Sequence, residues 1–164
     1  LGAAPTIKDR KPSSLLTFTI SRKDLLSNWL FHKQEVCETL NLDHLELKNR
    51  EKSTTVLFYK RALLEKHVAG ERNRAFLCKA GYPVASSLEQ KLHLLKEKFG
   101  CSCPHEIGIF LGIPVEDVEG FIRHRGKNPL LCGYWKVYHH RERAETLFYM
   151  YDQAKISVAG EILK

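Results

Sequence analysis

The sequence predicts an α+β fold: a small mixed or antiparallel sheet of about four strands packed with several helices. Three observations carry that prediction. Short β-prone runs stand at residues 15–20, 45–48, 54–60 and 133–138. Stretches with helical spacing of apolar residues lie between and after them, without the strict strand–helix alternation of a parallel α/β sheet. The 164 residues are 43% hydrophobic and 27% charged, enough apolar material for a real core and close to the globular average.

Taken in order, residues 1–14 are polar and proline-containing and read as an extended N-terminal segment. LLTFTI (15–20) is the first strand. Ser21 can cap a helix running to about Leu40, in which Leu26, Trp29, Leu30, Cys37 and Leu40 fall at helical spacing. Residues 45–48 and 54–60 are two strands, with NREKS (49–53) as their hairpin turn. Helices follow at 62–67 and 71–79, the second stopped by Gly81 and Pro83. The clearest amphipathic helix is 87–99, where Leu88, Leu92, Leu95 and Phe99 fall at i, i+4, i+7 and i+11. Two short helices, 105–111 and 115–123, share a corner in which Gly112 ends the first and Pro114 opens the second. GYWKVY (133–138) is the last strand. A helix over 141–154 buries Ala144, Leu147, Phe148 and Tyr151. The predicted α+β domain thus spans 15–156, followed by a tail at 157–164.

No stretch approaches the roughly 18 apolar residues of a membrane span. The N-terminal residues lack an apolar signal core, which predicts a cytoplasmic protein. Five cysteines, an odd number, then read as thiols. The net charge is +7 and the pI about 9.2, compatible with phosphorylated ligands, nucleic acid or acidic partners. The excess is uneven. From Arg123 to Arg143 there are six Lys/Arg and three His against one acid, Glu142, and just ahead lie Glu116, Asp117 and Glu119. That alternation fits a shaped site better than a uniform polyanion-binding face.

PHEIGIFLGIPVEDVEGFI (104–122), GKN (126–128) and CGYWKVY (132–138), with APT (4–6) and KPSSL (11–15) near the N-terminus, resemble a family of small proteins from clostridia and related anaerobic bacteria. It is known only as a domain family of unknown function. The resemblance covers nearly the whole chain and implies a bacterial, cytosolic domain, but assigns no catalytic residue. The chain departs from the family's pattern at Ala3, where cysteine is common, and at Cys103, where an aromatic residue is common.

Several constellations carry chemistry. Cys101, Cys103 and His105 alternate in sequence, and two thiolates and an imidazole could fill three corners of a zinc site. Their spacing is tighter than that of most zinc motifs. His105 is a candidate acid/base group, since imidazoles exchange protons near neutral pH. Glu106 is a candidate ligand contact, although a first-turn glutamate also simply complements the helix dipole. Gly126, Lys127 and Asn128 can form a turn whose N–H groups bind an anion, with Arg123 and Lys136 adding charge. Cys132 is a candidate nucleophile if a neighbouring cation lowers its pKa. Tyr134 and Trp135 alternate across a strand, so an outward ring could stack on a planar ligand. The corner also resembles a helix-turn-helix, with Gly108, Gly112, Ile113, Val118 and Ile122 at fitting positions. Its second helix, however, begins with three carboxylates, which oppose a polyanion and disfavour DNA.

The leading expectation is a small-ligand-binding or catalytic domain for an anionic planar molecule such as a nucleotide, flavin or tetrapyrrole. Its site would be lined by His105, Glu106, Arg123, Lys127, Asn128, Cys132, Trp135 and Lys136. The alternatives are a non-enzymatic metal- or haem-handling protein using Cys101, Cys103, His105 or Cys132, and an interaction or nucleic-acid module using the basic segment.

Overall fold

A computed structural model describes residues 1–20 and 24–163. Its centre is a three-stranded antiparallel sheet in the order β1 (Ser13–Thr19), β3 (Ser53–Tyr59), β2 (Asp43–Arg50). The β2–β3 turn is tighter than the predicted NREKS loop: Arg50 pairs with Ser53, leaving only Glu51 and Lys52 to reverse the chain. The β2 register slips between Glu46 and Lys48, a bulge at Leu47, which is buried.

Because β3 is central, four successive residues from Val56 to Tyr59 are buried on alternating faces. Val56 and Phe58 meet Trp29, Cys37 and Leu42, so that α2 (Leu25–Leu40) covers one face. Trp29 lies parallel to Phe18 at 5.0 Å and edge-on to Phe58 at 5.1 Å. Asp24 caps α2 by accepting the Ser27 N–H at 3.2 Å; Ser21, the cap expected from the sequence, lies outside the described residues. Leu30, expected on the buried stripe, is exposed.

Leu57 and Tyr59 face the larger core, built with α3 (Arg61–Ala69), α4 (Glu71–Lys79), α5 (Leu88–Cys101), α6 (Ile107–Phe110) and α7 (Val115–His124). Helix α5 starts in a capping box between Ser87 and Gln90, and Leu88, Leu92, Leu95 and Phe99 are all buried.

Three further sequence expectations, on segments rather than single residues, are corrected. Residues 1–14 are not simply extended: Ala4–Ile7 form a helical turn, α1, with Ala4, Pro5 and Thr6 buried. Thr6 Oγ1 meets Ser14 Oγ at 2.7 Å, and Ser13 Oγ donates to the Phe110 carbonyl at 2.7 Å, which binds the APT and KPSSL segments to the sheet and to α6. The GYWKVY run is not one strand. Leu131–Cys132 (β4) and Lys136–Val137 (β5) form a two-residue ladder with Gly133–Tyr134–Trp135 as its turn, because the Tyr138 N–H leaves the ladder for Asp117. The last helix, α8 (Arg141–Ile162), runs through the predicted tail. Nothing between Ala154 and Ile162 stops it, and Lys8 of the N-terminal segment pairs with Glu161. No helix among the described residues is long and apolar enough to cross a membrane.

The corner between α6 and α7 is tight for a local reason. Gly112 has φ +76°, and a β-carbon there would lie 2.7 Å from Pro12 Cδ. With only four residues, α6 is too short for the first helix of a helix-turn-helix, and Ile122, expected inside, is exposed.

Candidate functional site

A cleft of about 430 Å³ opens between the α6–α7 corner and the β4–β5 turn. Ile107, Leu111 and Val118 supply apolar wall, and the aromatic surface comes from Phe121, Tyr134 and Trp135. Cys103, His105, Asp117 and Lys136 supply its polar groups. The size lies within the range of small-molecule sites, and a mostly apolar lining with few polar groups is their usual character.

Each wall is set by its neighbours. Asp117, on the inner side of α7, is 2% exposed and fully engaged. Its Oδ2 accepts the Trp135 indole N–H at 2.8 Å, and its Oδ1 accepts the N–H groups of Tyr138 and His139 at 2.7 and 2.9 Å. Trp135 is further held edge-on to Phe148 at 4.6 Å. Tyr134 packs edge-on to Tyr151 at 5.0 Å and donates its hydroxyl to Asp152 at 2.7 Å. Neither ring swings freely outward as a strand alternation would require. Tyr134 and Trp135 together line the cleft from the turn.

His105 is exposed at the rim, its ring 5.7 Å from Phe121. Lys136 Nζ donates to the Gly126 carbonyl at 2.7 Å and lies 6.0 Å from the Phe121 ring centre. An ammonium has three donors, so this bond leaves two for a ligand. Burial pushes the Cys103 thiol up, and the Glu106 carboxylate pushes it further. That is the reverse of what an activated thiolate needs.

The structure therefore brings His105, Trp135, Lys136 and Cys103 together and leaves the other predicted residues elsewhere. Glu106 points inward: it is 8% exposed, pairs with Lys98 at 2.8 Å and accepts the Tyr82 hydroxyl at 3.4 Å. Burial and this carboxylate together push the Tyr82 phenol well above its ordinary range. The anion nest expected at Gly126–Asn128 is spent on ending α7. The Gly126 N–H donates to the Phe121 carbonyl at 2.9 Å and the Lys127 N–H to the His124 carbonyl at 3.0 Å. Lys127, Asn128 and Arg123 are exposed and outside the lining. Cys132 is exposed and pairs across the ribbon with Lys136, but it is not part of the cleft wall. Cys101, Cys103 and His105 are not gathered into a ligand set: no group of three His, Cys, Asp or Glu side chains among the described residues could hold a metal.

Sequence reasoning did not single out Phe121 or, as a positioning group, Asp117. Their signal was faint: four residues apart on α7, they face the same side as the cleft. It also passed over Cys37, whose Sγ lies 3.4 Å from His44 Nδ1. Burial raises that thiol and lowers that imidazole, so the pair is neutral and packed, not reactive.

The fold and cleft describe an α+β protein with an aromatic-walled cleft beside a tight helical corner. The chain belongs to the family described as Protein of unknown function (DUF3793), whose model matches residues 1–164. Neither a curated protein nor a solved structure matches it.

Proposed function

We propose that this chain is a small-ligand-binding or catalytic domain whose cleft takes an anionic planar molecule of the nucleotide, flavin or tetrapyrrole kind. The observation that supports it most is the convergence of Phe121, Trp135, His105 and Lys136 on one cleft of about 430 Å³. Phe121 and the indole offer apolar faces for a planar system. Lys136, at the edge of the same surface, supplies the charge for an anionic substituent. His105 stands where it can donate to the ligand or exchange a proton with it, which gives a catalytic role its one candidate within the cleft.

The test is a fluorescence titration with flavin mononucleotide, adenosine monophosphate and protoporphyrin, read through Trp135 in a Trp29→Phe background. Saturable quenching by one of them, weakened by His105→Ala and by Lys136→Met while the melting temperature holds, is the expected result. Unchanged Trp135 emission with all three rejects the reading.

A further inference from the structure

A second cavity system lies on the other side of the α6–α7 corner. Ile113 and Asp117 face the aromatic cleft, whereas Gly112, Pro114 and Glu116 face this groove. It consists of two joined hollows of about 440 and 520 Å³, which share Arg10, Pro12, His67, Gly70 and Asn73 and have no lining residue in common with the cleft.

Its charge is unbalanced. Arg10, Lys11, Lys66, Arg72 and Arg143 contribute five cations, and Asp9, Glu71 and Glu116 three carboxylates. Two of those carboxylates are already engaged, Asp9 with Lys60 at 3.6 Å and Glu116 with Arg72. Among the described residues, Arg10, Lys11, Lys66 and Arg143 have no carboxylate within ion-pair distance. Glu71 alone is left to answer four cations.

Lys11 is the most telling of them. Its stem lies against Gly112, in the same corner, and its ammonium feels the positive charge of Lys155 rather than any acid. Burial first, and Lys155 second, pull its pKa down to about 8. Both causes disfavour the cation, and an anion bound beside Lys11 would offset them. Two neutral groups share the groove: burial lowers the His67 pKa, and Asn73 Nδ2 sits 3.3 Å from its Nε2 and donates to the His67 carbonyl at 2.8 Å. Helices α4 and α7 both begin on this groove with no side chain capping their first turns, but Glu71 on α4 and Glu116 and Asp117 on α7 already answer those positive ends, so the cationic side chains carry the site.

We propose that this groove is a second binding site, one that takes a small molecule bearing a phosphate-type oxyanion, held by Arg10, Lys11 and Arg143. Arginine's planar fork matches such an oxyanion in two directions at once, and hollows of about 440 and 520 Å³ have room for a diphosphate.

The test is titration calorimetry with pyrophosphate at pH 8 and physiological salt, in two buffers of different ionisation enthalpy. One-to-one binding is expected, weakened about tenfold or more in Arg10→Ala and Arg143→Ala, the scale of one lost charge-assisted bond. Lys96→Ala, an exposed change on α5, leaves it unaltered. Binding also takes up a fraction of a proton, because a bound anion raises the Lys11 pKa, and Lys11→Met abolishes that uptake. A lack of saturable heat, or equal affinity in both arginine variants and the parent, overturns the site. Tighter binding of a single-stranded oligonucleotide than of pyrophosphate, lost as salt rises, would replace it with a nonspecific polyanion surface.

Discussion

The Trp135 indole N–H donates to Asp117 Oδ2 at 2.8 Å, and this bond ties the β4–β5 turn to the second helix of the corner. The same carboxylate holds the N–H groups of Tyr138 and His139, so one buried charge is satisfied by three donors from a single stretch of chain. Asp117→Asn keeps the shape but turns an amide N–H toward one of those donors. A hydrogen bond to a charged group contributes about 1.5–3 kcal/mol. The variant should therefore lose about 2–3 kcal/mol, a fall of about 5–10 °C in melting temperature for a chain of this size. Near-ultraviolet circular dichroism should lose part of its tryptophan signal. Parent-like stability with an unchanged tryptophan signal would show that the turn is held by packing alone.

Gly120 meets Tyr138 face to face. A β-carbon at Gly120 would lie 2.5 Å from Tyr138 Cβ and 2.6 Å from its Cγ, and the ring has His124 stacked beside it at 5.3 Å. The tyrosine has little room to retreat. Gly120→Ala should cost about 1–3 kcal/mol through overpacking, despite alanine's better helix propensity. Chemical denaturation measures it. A stabilised variant would mean that β5 moves away from α7 at little cost.

How much of this was legible in the sequence depends on how local each cause is. The Ser87–Gln90 capping box and the Leu88–Phe99 stripe are written within one helix, and both are present. The region of the cleft was legible as well, because glycines, aromatics and polar groups crowd into 104–138. The role of individual residues was not. Glu106 is inside because Lys98 and Tyr82, from two other segments, reach it. The GYWKVY run breaks because Asp117, far behind in sequence, takes the Tyr138 N–H. The Gly126–Asn128 nest fails because its donors close the preceding helix. Each depends on a contact that periodicity does not encode.

Stability should fall on mild acidification, before the carboxylates titrate. Burial lowers the pKa of both His67 and His44 in the folded chain below the ordinary histidine value. The unfolded chain then binds more protons in the interval between the two values, so stability rises with pH across it. The stabilising contribution is present above about pH 6.5, the unfolded histidine pKa, and is lost as pH drops below it. Melting curves from pH 7.5 to 5 should show a decline, and His67→Gln should flatten part of it. The carboxylates of Glu46 and Glu89, held below their usual range, act only at lower pH. For Glu46, burial works against the hydrogen bonds from Lys33, Asn49 and Trp29, which prevail; for Glu89 the Arg61 hydrogen bond is the largest cause. A flat melting temperature between pH 7.5 and 5 would mean that these rings protonate in place.

Glu106 separates a structural charge from a ligand contact. Its side chain is 11% exposed and its partner Lys98 31%, and Lys98 also donates to the Ala80 carbonyl and sits 4.7 Å from the Tyr82 ring centre. Removing the carboxylate leaves that ammonium half-buried beside an aromatic ring, with one carbonyl to satisfy it. Glu106→Gln should therefore destabilise the fold by about 1–3 kcal/mol, between the cost of a lost charged hydrogen bond and that of a broken buried pair. Affinity for the cleft's ligand should stay within about twofold, because the carboxylate turns away from the cleft toward Lys98 and Tyr82. Urea denaturation and the flavin mononucleotide titration, run on the same variant, distinguish the two roles. Lost affinity at full stability would place the carboxylate on the ligand, with the Lys98 pair giving way when the cleft fills.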